Sequence, residues 1–508
     1  MRKSFTILFI SLLVVSLANA AIVEGSCGSN LTWSLNTKDS TITIEGTGSM
    51  EDYPEYLAYA PWYDYRSYIA NISFPEGITY IGERAFYTCN NLRFVSIPGS
   101  VKRIGAQAFR ATPLEHVIFG NISFVIDSRA FQSCRSLVNL ENLEYATSIG
   151  NYAFDGCSKL SFVNIAATKG IGEYAFQNCT QLMGLIFPDS LVKIGSYAFY
   201  NCTSLTHANL PNSVKTIGDW AFGHCTSIVS ATLPDSLGTV PDNMFNGCNN
   251  LLNIKIPKGT SIIGNSSFAG CSKLNDVDLG DFIIYIWSRA FSYCKSLKNI
   301  EIPETTFSIA SNAFERCDSL ETVVWNSKHG ADTSPIYPLF GGDKSKVSSF
   351  TFGPNVEYIP AALCYKMRKL TSIDIPDSVT AIGEFAFTEC NTLETVTIGN
   401  GITSLGRSSF PNCVTSLSIS ATTPPAGGLN CGINPANCTL YVPEESVEVY
   451  SNTLWWEDFF AILPIQNTGT DIDNTFVDNA KVTKAFSNGQ IYIMRDKQTF
   501  TITGTKVN

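Results

Sequence analysis

Apolar and polar positions along this chain recur with a period of 22 or 23 residues, about fifteen times. The run 194–211 (IGSYAFYNCTSLTHANLP) serves as a reference unit. Its Phe199 and Cys202 have counterparts at Phe86/Cys89, Phe131/Cys134, Phe154/Cys157, Phe222/Cys225 and onward to Phe410/Cys413. A fixed period of this length predicts a stacked array in which each unit buries its apolar face against its neighbours. Residues 205–211 read as a short parallel strand with Leu205, Ala208 and Leu210 inward, closed by Pro211, which has no N–H to donate. Val214 and Ile217 point inward again, Gly218 reads as a turn residue, and Ala221-Phe222 opens a short helical or 3₁₀ corner. Phe222 is expected to stack on Phe199 and Phe245 as an aromatic spine. With a strand spacing of about 4.8 Å, fifteen units give a curved rod on the order of 70 Å along its strand-bearing face.

The period does not cover the whole chain. Residues 1–20 read as a secretory signal: Arg2 and Lys3, an apolar centre, and Ala18-Asn19-Ala20 as the cleavage site, with cleavage near Ala20. Residues 21–65 read as a β-rich N-terminal cap, because 31–35 and 41–44 alternate apolar with polar across a turn. The repeats then occupy 66–420, with an irregular polar insertion near 326–339 that reads as a surface loop or a binding loop. Residues 421–465 form a C-terminal cap, with a strand at 440–443 and a short helix at 446–456. Residues 466–508 form a tail with β-like pieces. No second apolar stretch is long enough to cross a membrane, so no transmembrane anchor is expected.

Sixteen cysteines in an exported chain would ordinarily suggest a disulfide framework. Twelve of them, however, sit at one repeat position, where Thr112, Asp343 and Met367 substitute in other units. That pattern fits a column of buried free thiols acting as small hydrophobes. Cys431 and Cys438 lie outside the period and are the disulfide candidates. The four histidines (His116, His207, His224, His329) match no metal or nucleophile motif, and the recurring Ile-Gly pairs are turns, not a phosphate loop. No cofactor and no catalytic residue are expected. The formal charge of −10 and the lack of a Lys/Arg stripe argue against nucleic acid.

The pattern Leu-x-x-(Ala/Val/Ile)-x-(Ile/Leu)-Pro-x-(Ser/Gly)-(Val/Leu/Ile)-x-x-Ile-Gly-x-x-Ala-Phe-x-x-Cys resembles the BspA-like leucine-rich repeats of bacterial and protist surface proteins, and of Bacteroidetes in particular. Residues 205–225 and 370–390 follow it almost position by position, and the resemblance spans roughly 27–465. It implies an α/β repeat solenoid: a right-handed leucine-rich-repeat array with a parallel β-sheet on the concave face and a cap at each end. It also implies a non-catalytic cell-surface or secreted adhesin that binds an extracellular protein or glycan. A polysaccharide-binding or scaffold role is the alternative, and a hydrolase is the less favoured one. The tail, from Gly489 to Val507, is similar to C-terminal segments of exported Bacteroidetes proteins, some of which are sorting signals.

The outward strand positions carry the candidate contacts, because a parallel sheet sets them side by side. Phe94, His116, Ile118, Phe162, Ile186 and His207 are the ligand-binding candidates, and Phe94, Ile118, Phe162 and Ile186 put apolar side chains where solvent is expected. Tyr or Trp platforms on that face would favour a sugar ligand, and the outward positions contain none.

Overall fold

A computed structural model describes residues 22–54, 58–333, 339–340 and 344–465, together with the backbone of four strands between 482 and 507. The expected signal segment 1–20 and Asp343 lie outside the described residues. The tail is described only by Val482–Ser487, Gln490–Arg495, Gln498–Thr501 and Lys506–Val507, paired antiparallel in that order.

The chain winds as a parallel β-solenoid of about sixteen turns with little helix. Each typical turn contributes two strands. The longer ones, such as His207–Asn209, Ser230–Thr232 and Asn253–Lys255, pair parallel with the next turn and alternate outward with inward residues. The shorter ones, such as Lys193–Ile194 and Thr216–Ile217, stack as a second parallel column. The N-terminal cap enters both columns. Ile22–Gly28, Leu31–Asn36 and Thr41–Gly46 form an antiparallel meander, after which Thr41–Gly46 pairs parallel with Asn71–Ser73. Gly48–Ser49 pairs parallel with Ile78–Ile81 and starts the second column. At the other end Thr439–Val442 and Ala461–Pro464 extend the first column.

The phenylalanines form the expected spine. Successive rings from Phe86 to Phe314 stack with centroids such as 5.3 Å for Phe199–Phe222 and 5.6 Å for Phe222–Phe245. Trp62 of the cap supplies the first rung, stacked on Phe86 at 5.5 Å. The spine tilts at Phe340, and Cys364 takes the phenylalanine's place in one turn. Its N–H donates to the Ala386 carbonyl as Phe199 N–H does to Ala221.

The corners differ from the helical or 3₁₀ form expected. They are tight turns in which left-handed residues stand two before and two after the phenylalanine. Tyr197 and Asn201 flank Phe199 with φ of 57° and 60°. Alternating the hand of the backbone points the N–H groups of Tyr197, Phe199 and Asn201 the same way along the axis. All three donate to the next turn, at Asp219, Ala221 and Gly223. A helix would have spent those donors within one turn. The single α-helix among the described residues is Val447–Ser451 in the C-terminal region.

The glycine after the isoleucine also has a different reason from the one expected. Gly218 and its equivalents do not have positive φ. A Cβ on Gly218 would collide with the backbone nitrogen of Ser196 in the preceding turn, so the glycine permits close stacking.

The insertion begins as part of the array and not as a projecting loop. Ala331 N–H donates to Phe307, and Asp332 accepts from Tyr358 Oη and the Ala361 N–H. Asp52 of the cap receives Tyr80 and the Glu83 N–H in the same way.

Candidate functional site

Two faces of the solenoid carry side chains that the core does not absorb. The strand face holds the residues singled out from sequence. Phe94 lies opposite His116, and Ser96 opposite the half-buried Ile118. Phe162 lies opposite Gly184, and Asn164 opposite Ile186. Phe162 is 54% exposed and Ile186 72%. Gly184 has no side chain, and the Phe162 ring lies across its backbone, 2.8 Å from where a Cβ would stand. His207 is exposed and its Nδ1 shares a 2.8 Å hydrogen bond with Thr206 Oγ1. The ladder is interrupted between Glu141 and Phe162 and again between Ile186 and His207. The six candidates therefore fall into two patches, Phe94/His116/Ile118 and Phe162/Ile186, with His207 beginning the next sheet segment. Met183 is also exposed beside Gly184; the outward-alternation rule passed over it because it precedes the strand.

Farther along the same face, four turns enclose an open hollow of about 900 Å³ lined by Asp276, Asp278, Asp281, Glu301 and Glu304 among other residues. Lys255 reaches Asp278 at 3.4 Å, and Asn326 Nδ2 donates to Glu301 at 2.9 Å. Lys328 also lines it but pairs with Glu357 at 2.8 Å. That hydrogen bond raises the Lys328 ammonium pKa and lowers that of the Glu357 carboxyl. The hollow therefore keeps a net negative charge. Among the described residues no three His, Cys, Asp or Glu side chains converge in a way that could hold a metal ion.

The thiol column is interior. Each typical Cys Sγ–H donates to the carbonyl of the phenylalanine one turn back, as Cys225 does to Phe199 at 3.0 Å and Cys248 to Phe222 at 3.2 Å. Thr112 replaces the thiol with a hydroxyl that donates at 2.8 Å to Phe109 O, in its own turn and not one turn back. The position is thus a small donor as well as a small hydrophobe, which the Cys/Thr interchange could have signalled. Burial pushes the Cys134 thiol up to about 11 and that of Cys89 to about 12. Cys431 and Cys438, the disulfide candidates, are buried free thiols in this structure, raised by burial to about 11 and about 12.

The second face is the corner. Tyr152, Tyr174, Tyr197 and Trp220 occupy the left-handed position of consecutive turns and stack at 4.5, 4.7 and 5.8 Å. The aromatic run that the outward strand positions lack is therefore present at the corner.

Among the described residues no helix is long and apolar enough to cross a membrane. No curated protein matches the chain. Among solved structures, a leucine-rich repeat protein from Bacteroides ovatus is 21% identical, covering 77% of this chain and 93% of its own, with a TM-score of 0.44. One from Eubacterium ventriosum is 22% identical over 64% and 99%, with a TM-score of 0.36. A leucine rich cell surface protein from Faecalibacterium prausnitzii is 21% identical over 79% and 95%, with a TM-score of 0.29. A family profile described as the BspA type leucine rich repeat region, in six copies, matches residues 62–183, 169–282, 238–334 and 339–424. These stretches cover well over half of the chain and coincide with the stacked turns, so the chain belongs to the BspA-type leucine-rich repeat family.

Proposed function

We propose that this chain is an exported, non-catalytic adhesin of the cell surface whose strand face binds an extracellular protein. One observation carries the reading: Phe162 and Ile186 stand exposed on a rigid parallel sheet, where the fold needs only polar residues. Large apolar side chains held in solvent on a scaffold favour protein contact over stability. The acidic hollow on the same face adds electrostatic selectivity and would steer a basic partner surface. Export rests on the N-terminal segment with its Ala18-Asn19-Ala20 site, and the 466–508 tail is proposed as the sorting or attachment segment.

The test uses full-length protein and variants Phe94→Ser, Phe162→Ser and Ile186→Ser, assayed for binding to immobilised matrix proteins and whole cells. Loss of binding in folded Phe162→Ser and Ile186→Ser protein supports the reading. Unchanged binding in all three removes the strand face as the contact surface. Cell fractionation with the native N-terminus tests export, and a purely cytoplasmic product would end the surface assignment.

A further inference from the structure

We propose that the N-terminal corner around Arg84 is an anion site for an acidic polysaccharide, distinct from the strand face. Arg84 occupies the left-handed corner position of its turn at φ 56° and is only 7% exposed. Its guanidinium lies 4.6 Å from the centre of the Tyr87 ring and 5.8 Å from that of Tyr59. Among the described residues the buried Nη1 has no hydrogen-bond partner. Arg110 approaches the same Tyr87 ring at 5.8 Å, and its Nη1 donates, among the described residues, to the neutral Gln107 Oε1. Two guanidinium groups thus share one ring, and no acidic side chain among the described residues pairs with either.

That arrangement is costly unless something else neutralises it. A buried charge is normally paired, and an orphaned buried donor marks a missing partner. Carboxylates are not scarce in a chain of formal charge −10. Elsewhere Arg93, Arg103, Arg289 and Arg368 each face one, at Glu115, Asp127, Glu315 and Glu389. The rings explain how two cations are held side by side, because each is attracted to the π-face. They do not satisfy the planar N–H donors, which match a carboxylate or sulfate.

The neighbouring corner positions extend the site along the axis. Arg129 lies 4.9 Å over Tyr152, which begins the stack Tyr152, Tyr174, Tyr197 and Trp220. Cations at Arg84, Arg110 and Arg129, followed by half-buried aromatic edges over four consecutive turns, suit a linear polymer bearing oxyanions on sugar rings. Nucleic acid would also stack and pair here, but it needs more cations than this corner supplies.

The experiment measures binding of the full chain to polygalacturonate, chondroitin sulfate, neutral dextran and poly(U) by affinity electrophoresis at low and at moderate salt. Binding to polygalacturonate or to chondroitin sulfate supports the site and tells carboxylate from sulfate; it should weaken with salt. Arg110→Gln and Tyr87→Leu, which leave the buried Arg84 in place, should each weaken binding, the former about tenfold. Arg84→Gln should do at least as much, with thiol inaccessibility confirming that the column remains folded. Equal binding to dextran, preference for poly(U), no binding to any polymer, or unchanged affinity in folded Arg110→Gln and Tyr87→Leu overturns the proposal.

Discussion

The indole N–H of Trp62 donates a 2.7 Å hydrogen bond to the carbonyl of Ala85. In later turns the equivalent carbonyl receives the backbone N–H of the preceding turn's phenylalanine, as Ala108 receives Phe86 and Ala221 receives Phe199. Trp62 therefore completes two columns at once. Its ring ends the aromatic spine, and its N–H satisfies the last exposed rung of the corner ladder. An unfinished array would leave a buried carbonyl unpaired, which is why such arrays need a cap.

Trp62→Phe keeps the ring and removes the donor. It should destabilise the N-terminal turns by about 1–3 kcal/mol, the cost of an unpaired buried acceptor. Hydrogen exchange should show faster opening of the first turns with little change beyond Phe199. Uniform loss of protection along the whole chain would contradict the assignment.

The thiol column makes stability depend on pH in the alkaline range. The folded-state pKa values of Cys134 and Cys89 are raised to about 11 and about 12 from an ordinary value of 9.0. The unfolded chain therefore loses protons first as pH rises, and unfolding becomes easier. The contribution is fully present below pH 9 and is lost as pH climbs through 11 to 12. Urea midpoints should hold steady from pH 7 to 8.5 and fall above 9. Replacing several column cysteines by Thr should flatten that fall.

Within the column, donor capacity should matter more than sulfur. Cys225→Ala leaves Phe199 O without its side-chain donor and opens a small void, costing about 1–2 kcal/mol. Cys225→Thr should cost less, because the hydroxyl fills the space and, as at the equivalent Thr112, bonds the phenylalanine carbonyl of its own turn. Denaturation midpoints of the two variants give the comparison.

Two glycines should respond in opposite directions. Gly218→Ala drives a Cβ into the Ser196 backbone and should destabilise by about 1–3 kcal/mol. Gly238 has nothing within 4 Å of a built Cβ and no positive φ, so Gly238→Ala should be neutral or stabilising by about 0.4–1 kcal/mol. Thermal melts read both. Equal effects would mean that close stacking is not the constraint.

The period alone determined the array, the parallel strands, the phenylalanine spine and the interior place of the thiols, because a unit that cannot bury its own face must stack. The outward positions Phe94, Phe162 and Ile186 were readable for the same reason: strand alternation has a period of two. Tertiary structure decided what depends on the neighbouring turn. Gly218 is small because Ser196 approaches it, and Cys225 donates to a carbonyl 26 residues back. The left-handed corners escaped sequence reading because Tyr197 and Asn201, not glycine, occupy them, held there by backbone bonds to the next turn. For that reason too, the approach of Arg110 to the Tyr87 ring of the preceding turn became visible only once the turns were stacked. Local chemistry sets the repeat, but contacts between side chains a full turn apart follow from the winding.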